Sequence, residues 1–231
     1  MKRKACLISA RLLTIFPCVR FRVVLFDLDG TLIDSTRLIL ESYHHTMRVH
    51  RGQTFPDSEW IKGLGTPLRV QFRRFTEDPD EVQRMIATYR EWNLAHHNEM
   101  VRGFPGAVET TRALKDGGTR LAIVTSKNRH GVRLGLELCG FDGLFDAIVT
   151  SDDLEASKPD PAPVLAALAA LGEPVGDALM VGDSPHDIAA GRDAGARTAA
   201  CLWGPFERQI LAAERPDYYL DSFQDLLPLA L

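Results

Sequence analysis

Cysteine is scarce in this chain. Cys6, Cys18, Cys139 and Cys201 are the only four in 231 residues, and none stands at the close spacing of a metal knuckle or a disulfide framework. The sequence therefore reads as a cytoplasmic protein with reduced, structural thiols. Long apolar runs are also missing, since no stretch approaches the roughly 20 residues that a membrane-spanning helix needs. Nor is there an excess of basic charge. Lys and Arg number 27 against 31 Asp and Glu, a net charge of −4. That balance offers no broad cationic surface to a nucleic-acid backbone, which is excluded as the main partner. Repeats and low-complexity linkers are absent as well. At the start, Lys2, Arg3 and Lys4 precede the apolar run from Ala5 to Ala10, in the manner of an export signal. Arg11 interrupts the run and no small-residue cleavage site follows, so residues 1–21 read as an extension ahead of the first core strand.

A chain of this length can bury roughly 70–75% of its unfolded surface and needs no staple to fold. Its organising stretch is Val23-Val24-Leu25-Phe26-Asp27-Leu28-Asp29-Gly30-Thr31-Leu32. Four consecutive apolar residues without alternation suit a strand covered on both faces, as in a parallel sheet flanked by helices. Ligands gather at the carboxyl ends of such strands. Asp27 and Asp29 lie two apart, so extended chain projects both to one side, and Gly30 lets the backbone turn away.

The next segment leaves the sheet. Asp34-Ser35 supplies a cap for a helix to about Arg48, with Leu38, Tyr43 and Met47 as buried positions. Helical patterns follow over 59–64, 67–75 and 80–93, without a β-rich run. About seventy residues without a strand, between strand-rich regions, predict an inserted helical subdomain over 36–103. Its hinges are expected near Ser35 and Gly103-Phe104-Pro105-Gly106. The remaining chain alternates strands over 121–124, 147–149, 178–181 and 198–202 with helices over 128–139, 161–171 and 185–194. Tyr218-Tyr219-Leu220 reads as a last strand, with Ser222 capping a terminal helix. Repeated βα units with short crossovers require parallel strands, so the expected fold is α/β, a doubly wound parallel sheet built from 22–35 and 104–231.

Four polar clusters stand at or just beyond the predicted strand ends: Asp27/Asp29, Thr125-Ser126-Lys127, Lys158-Pro159 and Gly182-Asp183-Ser184-Pro185-His186-Asp187. Each alone has an ordinary reading as a helix cap or a solvated charge. A doubly wound sheet brings all four to one edge. There Asp27, Asp29, Asp183 and Asp187 place up to four negative charges, and no anion enters such a site unaided. A divalent cation and Lys158 offset three of them. Mg²⁺ suits the oxygen donors, and no cysteine or histidine cluster competes for a softer metal.

These four clusters resemble, in order, the four motifs of the haloacid dehalogenase superfamily, over a match from about Arg22 to the carboxyl terminus. The helical insertion resembles the cap of the phosphoglycolate-phosphatase-like branch. The pieces Tyr89-Arg90-Glu91-Trp92-Asn93 to His96-His97 and Lys158-Pro159-Asp160-Pro161 look closest to the pyrophosphatase of that branch. The resemblance implies a Rossmann-like core and a Mg²⁺-dependent phosphatase working through an aspartyl-phosphate. It implies Asp27 as nucleophile and metal ligand, and Asp29 as general acid and base with its main-chain carbonyl on the metal. Thr125 and the Ser126 amide would hold phosphate oxygens, Lys158 would neutralise them, Asp183 would ligate the metal and Asp187 would act from behind it. The expected partner is a small phosphorylated metabolite or pyrophosphate, for a monomer or weak homodimer without nucleic acid or membrane. A phosphomutase and a non-enzymatic phosphate-binding protein are the competing readings. The second would have lost Asp27, Asp29, Lys158 or Asp183, and all four are present.

Other residues invite a role. His44-His45 and His96-His97 diverge by about 100° on a helix and are expected to be solvated or to pack. Trp60, Trp92 and Trp203 are expected to pack, and His186 has no assigned role. Arg69, beyond the loop from Gly63 to Leu68, could hold a second phosphate or a carboxylate.

Overall fold

The computed structural model describes residues 21–231, and the extension over residues 1–20, with Cys6 and Cys18, lies outside them. Phe21 belongs to the core: it is buried, and its amide donates to the Leu229 carbonyl across 3.2 Å.

Strand β1 (Val23–Phe26) is wholly buried and central. A short β2 (Ile33–Asp34) follows, and then four helices: α1 (Thr36–Arg51), α2 (Asp57–Ile61), α3 (Leu68–Phe72) and α4 (Pro79–Met100). The return is made by β3 (Arg102–Gly103), which pairs antiparallel with β2 at the two chain crossings. Then come α5 (Ala107–Asp116), β4 (Arg120–Val124), α6 (Arg129–Cys139), β5 (Ala147–Val149), α7 (Ala162–Leu171), β6 (Ala178–Gly182), α8 (Pro185–Ala194) and β7 (Arg197–Cys201). The chain ends with α9 (Arg208–Ala213), β8 (Tyr218–Leu220) and α10 (Leu227–Ala230).

The main sheet has the order β5-β4-β1-β6-β7-β8, and every pair in it is parallel. Alternation along β1 assigns its two faces. Val24 and Phe26 pack with Leu114 of α5 and Val132 and Leu136 of α6, while Val23 and Leu25 pack with Val164 and Leu168 of α7 and Ala190 of α8. This double cover explains the unbroken apolar run. The chain moves outward from β1 through β4 to β5, then crosses back to β6 on the other side of β1. The crevice beyond the carboxyl ends of β4, β1 and β6 is thus a topological switch point.

Helices α1–α4 share a separate core of Tyr43, Met47, Trp60, Phe72, Val82, Met85, Ile86 and Tyr89, with Tyr43 and Trp60 stacked at 4.0 Å. Several sequence expectations need correction here. Ser35 precedes α1, but its hydroxyl does not cap the helix and bonds elsewhere. Helix α4 runs on to Met100, well beyond residue 93, started by Asp78 accepting from the Asp80 amide with Pro79 in the first turn. The β2–β3 pair, α5 and α9 have no counterpart in the sequence reading. Ser222 caps a 3₁₀ turn over Phe223–Leu226, which leads into α10.

Candidate active site

Three strands deliver the polar groups. Asp27 leaves β1 with its amide still bonded to the Val181 carbonyl of β6 at 2.9 Å. Gly30 turns the chain at φ +84°, and a Cβ there would lie 2.5 Å from Asp183 Oδ2. Only glycine satisfies both the torsion and the approach. Thr31 then donates its hydroxyl to Asp183 Oδ1 at 2.7 Å, joining the ends of β1 and β6. Beyond β6, Ser184 and Asp187 form a capping box that starts α8 and leaves Asp187 fully buried.

Lys158 ties the acids together. It is 2% exposed, and its ammonium donates to Asp187 Oδ1 at 2.5 Å and to the Val124 carbonyl of β4 at 2.9 Å. It also lies 2.9 Å from Asp27 Oδ1, so one ammonium pairs with two carboxylates. Asp187 Oδ2 accepts from the Ser184 amide and hydroxyl, so both oxygens of Asp187 are engaged. Asp27 Oδ1, by contrast, is buried against the Lys158 ammonium alone among the described side chains.

The electrostatic result is an excess of buried negative charge. Burial pushes the Asp27 carboxyl up to about 7; Lys158 opposes this, while Asp187 and Asp29 add to it. Asp183 is raised well above the carboxylate range, by burial first and then by Asp187 and Asp27. Burial disfavours the Lys158 ammonium, but Asp187 and Asp27 outweigh it and hold the proton more tightly than usual. Oxygens of Asp27, Asp183 and Asp187 lie within 4.8 Å of one another, the one such acidic cluster among the described residues. All donors are carboxylate oxygens, buried with more negative charge than Lys158 alone offsets, so the set fits a hard divalent cation. The Asp29 carboxylate stands outside this cluster, and the expectation for Asp29 rested on its main-chain carbonyl.

A cavity of about 320 Å³ opens over these groups, lined from below by Asp27, Asp29, Thr125 and Ser126 and from above by Tyr89 and Arg90. Arg69 also faces it, and one arm of its guanidinium donates to the Glu155 carbonyl across the cleft. The Ser126 hydroxyl donates to the Gly65 carbonyl at 2.6 Å, drawing the loop before α3 onto the sheet edge. The histidines lie elsewhere: His44 meets Asp57, His45 and His96 stack on Trp92, and His97 is buried beside Asn98. His186 is half-buried, and burial lowers its imidazole pKa. Trp203 is more than packing, because its indole N–H reaches the Thr31 carbonyl. Thr31 and Trp203 were not singled out for the site from sequence. For Thr31 the available signal was its place directly after Asp29-Gly30.

Known proteins are similar to this chain in sequence and in fold. A pyrophosphatase named PpaX from Bacillus cereus is 42% identical over 211 residues, 91% of this chain and 97% of its own length. Its namesake from Anoxybacillus flavithermus is 40% identical over the same shares. Among solved structures, a predicted phosphoglycolate phosphatase from Haemophilus somnus superposes with a TM-score of 0.83 at 27% identity, covering 91% of this chain and 98% of that one. A predicted phosphatase from Clostridium acetobutylicum gives 0.79 at 27% identity, over 90% and 96%. The family model for haloacid dehalogenase-like hydrolases matches residues 24–201, so the chain belongs to that family.

Proposed function

We propose that this protein is a Mg²⁺-dependent phosphatase that hydrolyses a small phosphorylated compound through a phosphorylated Asp27. The observation that carries the reading is the buried Asp27 carboxylate, gathered with Lys158, Asp183 and Asp187 at the switch point of the sheet. Asp27, Asp183 and the Asp29 main-chain carbonyl would hold the ion, with Asp187 behind them through Lys158 and Ser184. Bound Mg²⁺ supplies the positive charge that keeps Asp27 ionised and admits an anionic phosphate among carboxylates.

The chain's own groups do the rest. Thr125, the Ser126 amide and Lys158 position the phosphoryl oxygens. A carboxylate oxygen of Asp27 bonds to phosphorus as the bond to the leaving oxygen breaks, and Asp29 gives that oxygen its proton. Asp29 then takes a proton from water. The water oxygen attacks phosphorus, phosphate departs and Asp27 is free again. Helices α1–α4, over residues 36–103, act as a cap that closes on the core formed by 22–35 and 104–231 and excludes bulk water.

Two substrates head the list. A phosphate monoester of the 2-phosphoglycolate kind suits the fold neighbours, and pyrophosphate is favoured by the 40–42% identity to proteins bearing the pyrophosphatase name. The test is phosphate release from a panel of monoesters and pyrophosphate, with and without Mg²⁺. Mg²⁺-stimulated release that disappears in Asp27→Asn, without sugar-phosphate interconversion, is expected. No stimulated release from any member of the panel would sink the reading.

A further inference from the structure

Lys127, in the second of the four sheet-edge clusters, is a charged residue that the proposed chemistry leaves without a task. Its ammonium lies 2.9 Å from Asp29 Oδ1 and 3.1 Å from Asp29 Oδ2, so it spans both oxygens of the carboxylate. Ser35 donates to the same Oδ1 at 2.6 Å, from the point where the chain enters α1. Both Asp29 oxygens are thereby engaged, by Lys127 on the cavity wall and by Ser35 buried behind it. The Lys127 side chain is 11% exposed and lines the cavity, with Arg69 and Arg90 as the other cations facing it among the described residues.

The path of the lysine is built into α6. A Cβ at Gly131 would stand 2.8 Å from Lys127 Cε and 3.2 Å from Cγ. Glycine weakens a helix interior, yet here it occupies the third position of α6. Its missing side chain is what lets Lys127 fold back across the first turn to Asp29.

We infer that Lys127 selects substrates carrying a second anionic group on the leaving side, by exchanging Asp29 for that group when the substrate binds. The inference rests on the phosphatase reading above and refines its substrate class. A monoester of a neutral alcohol brings one phosphate, which the Thr125 and Ser126 end of the cavity accommodates. Such a substrate gives Lys127 no new partner, and Asp29 stays clasped. Pyrophosphate, or a phosphate monoester bearing a carboxylate, places a second anion on the cavity side that Lys127 lines. The ammonium can then turn to it by rotation about its terminal bonds, and Asp29 is released toward the leaving oxygen. One lysine thus couples recognition of the leaving group to freeing of the proton donor.

The experiment compares kcat/KM for pyrophosphate and 2-phosphoglycolate with that for phenyl phosphate, in the full chain with Mg²⁺. Binding is read separately from inhibition by methylenediphosphonate and by phenylphosphonate. In Lys127→Met the preference for the doubly anionic substrates should fall at least about tenfold, the size of one charged contact, and methylenediphosphonate inhibition should weaken likewise relative to phenylphosphonate. Lys127→Arg should restore part of the preference. Gly131→Ala, which keeps the lysine but obstructs its path, should shift the ratio in the same direction as Lys127→Met and keeps the test decisive if that variant does not fold. A Lys127→Met protein that loses activity equally on all three substrates, with an unchanged ratio, overturns the inference and leaves the phosphatase reading standing. A wild-type chain inactive on every substrate overturns both.

Discussion

Trp203 donates its indole N–H to the main-chain oxygen of Thr31 across 3.0 Å, and Thr31 in turn donates its hydroxyl to Asp183. The segment after β7 therefore fixes the backbone of the residue that orients an acidic member of the cluster. Trp203 is itself held by Phe223, with ring centres 4.7 Å apart, and by Phe104. Replacing it with phenylalanine keeps an aromatic ring and removes the donor. Trp203→Phe should lower the melting temperature by about 2–4 °C, the loss of one part-buried hydrogen bond. It should also weaken Mg²⁺ binding by about threefold to tenfold, as loss of an outer support does. Melting temperature titrated against Mg²⁺ reads both effects, and an unaltered Mg²⁺ affinity would count against the relay.

Gly30 presents a sterner constraint. Alanine there must adopt φ +84° and push its Cβ into Asp183. The left-handed torsion costs on the order of 1 kcal/mol. The displaced carboxylate matters more. Gly30→Ala should reduce phosphatase turnover by at least about a hundredfold, in line with loss of a preorganised charge. Circular dichroism should still show the native helix and strand content. Turnover within a few-fold of wild type would mean that Asp183 has more freedom than its packing indicates.

The fold was legible where burial and chemistry coincide in sequence. β1, β4 and β6 are apolar runs that stop at polar clusters, and they occupy adjacent places in the sheet with those clusters at one edge. Helix α5 was not legible, because Thr110 and Thr111 fill buried positions and mask the apolar stripe. Thr111 satisfies its hydroxyl on the Ala107 carbonyl, so burial costs it little. The β2–β3 pair exists only because distant segments meet where the helical insertion leaves and rejoins the core, which no local pattern encodes. The same holds within the site. Asp27 and Asp183 could be picked out from their places directly after strands, and Lys158 and Asp187 from the polar clusters in the segments beyond. The Lys127–Asp29 pair spans 98 residues and depends on a missing side chain at Gly131.

Lys158 offers a test of the charge balance itself. Among the described residues its ammonium is the one cation in direct contact with Asp27 and Asp187, and all three side chains are nearly inaccessible. Lys158→Met keeps much of the volume and leaves the carboxylates without a counter-charge. Breaking a buried pair from one side costs about 3–5 kcal/mol, although protonation of an acid relieves part of that here. The variant should lose about 2–4 kcal/mol in urea denaturation at neutral pH without metal, and turnover should fall by at least about a thousandfold. A stability loss that shrinks on acidification would identify uncompensated carboxylates as its cause. A loss independent of pH would assign it to packing.

The titration of Asp27 in metal-free protein has a definite sign. Its carboxyl sits near 7 in the folded chain against an ordinary 3.8, so the native state holds this proton more tightly than the unfolded state does. Stability must therefore fall as pH rises between about 4 and 7 and stay low above that, because ionising Asp27 in the fold is unfavourable. Asp27→Asn removes the liability. Without metal, this variant should melt on the order of 5 °C above wild type at pH 8, with the gap closing toward pH 4. Added Mg²⁺ should raise the melting point of wild type at pH 8 far more than that of Asp27→Asn, since the cation relieves a charge the variant lacks. Differential scanning calorimetry at pH 4, 6 and 8, with chelator or with Mg²⁺, measures both. If chelated Asp27→Asn melts below wild type at pH 8, burial of Asp27 is not destabilising and the Lys158 contact more than compensates for it.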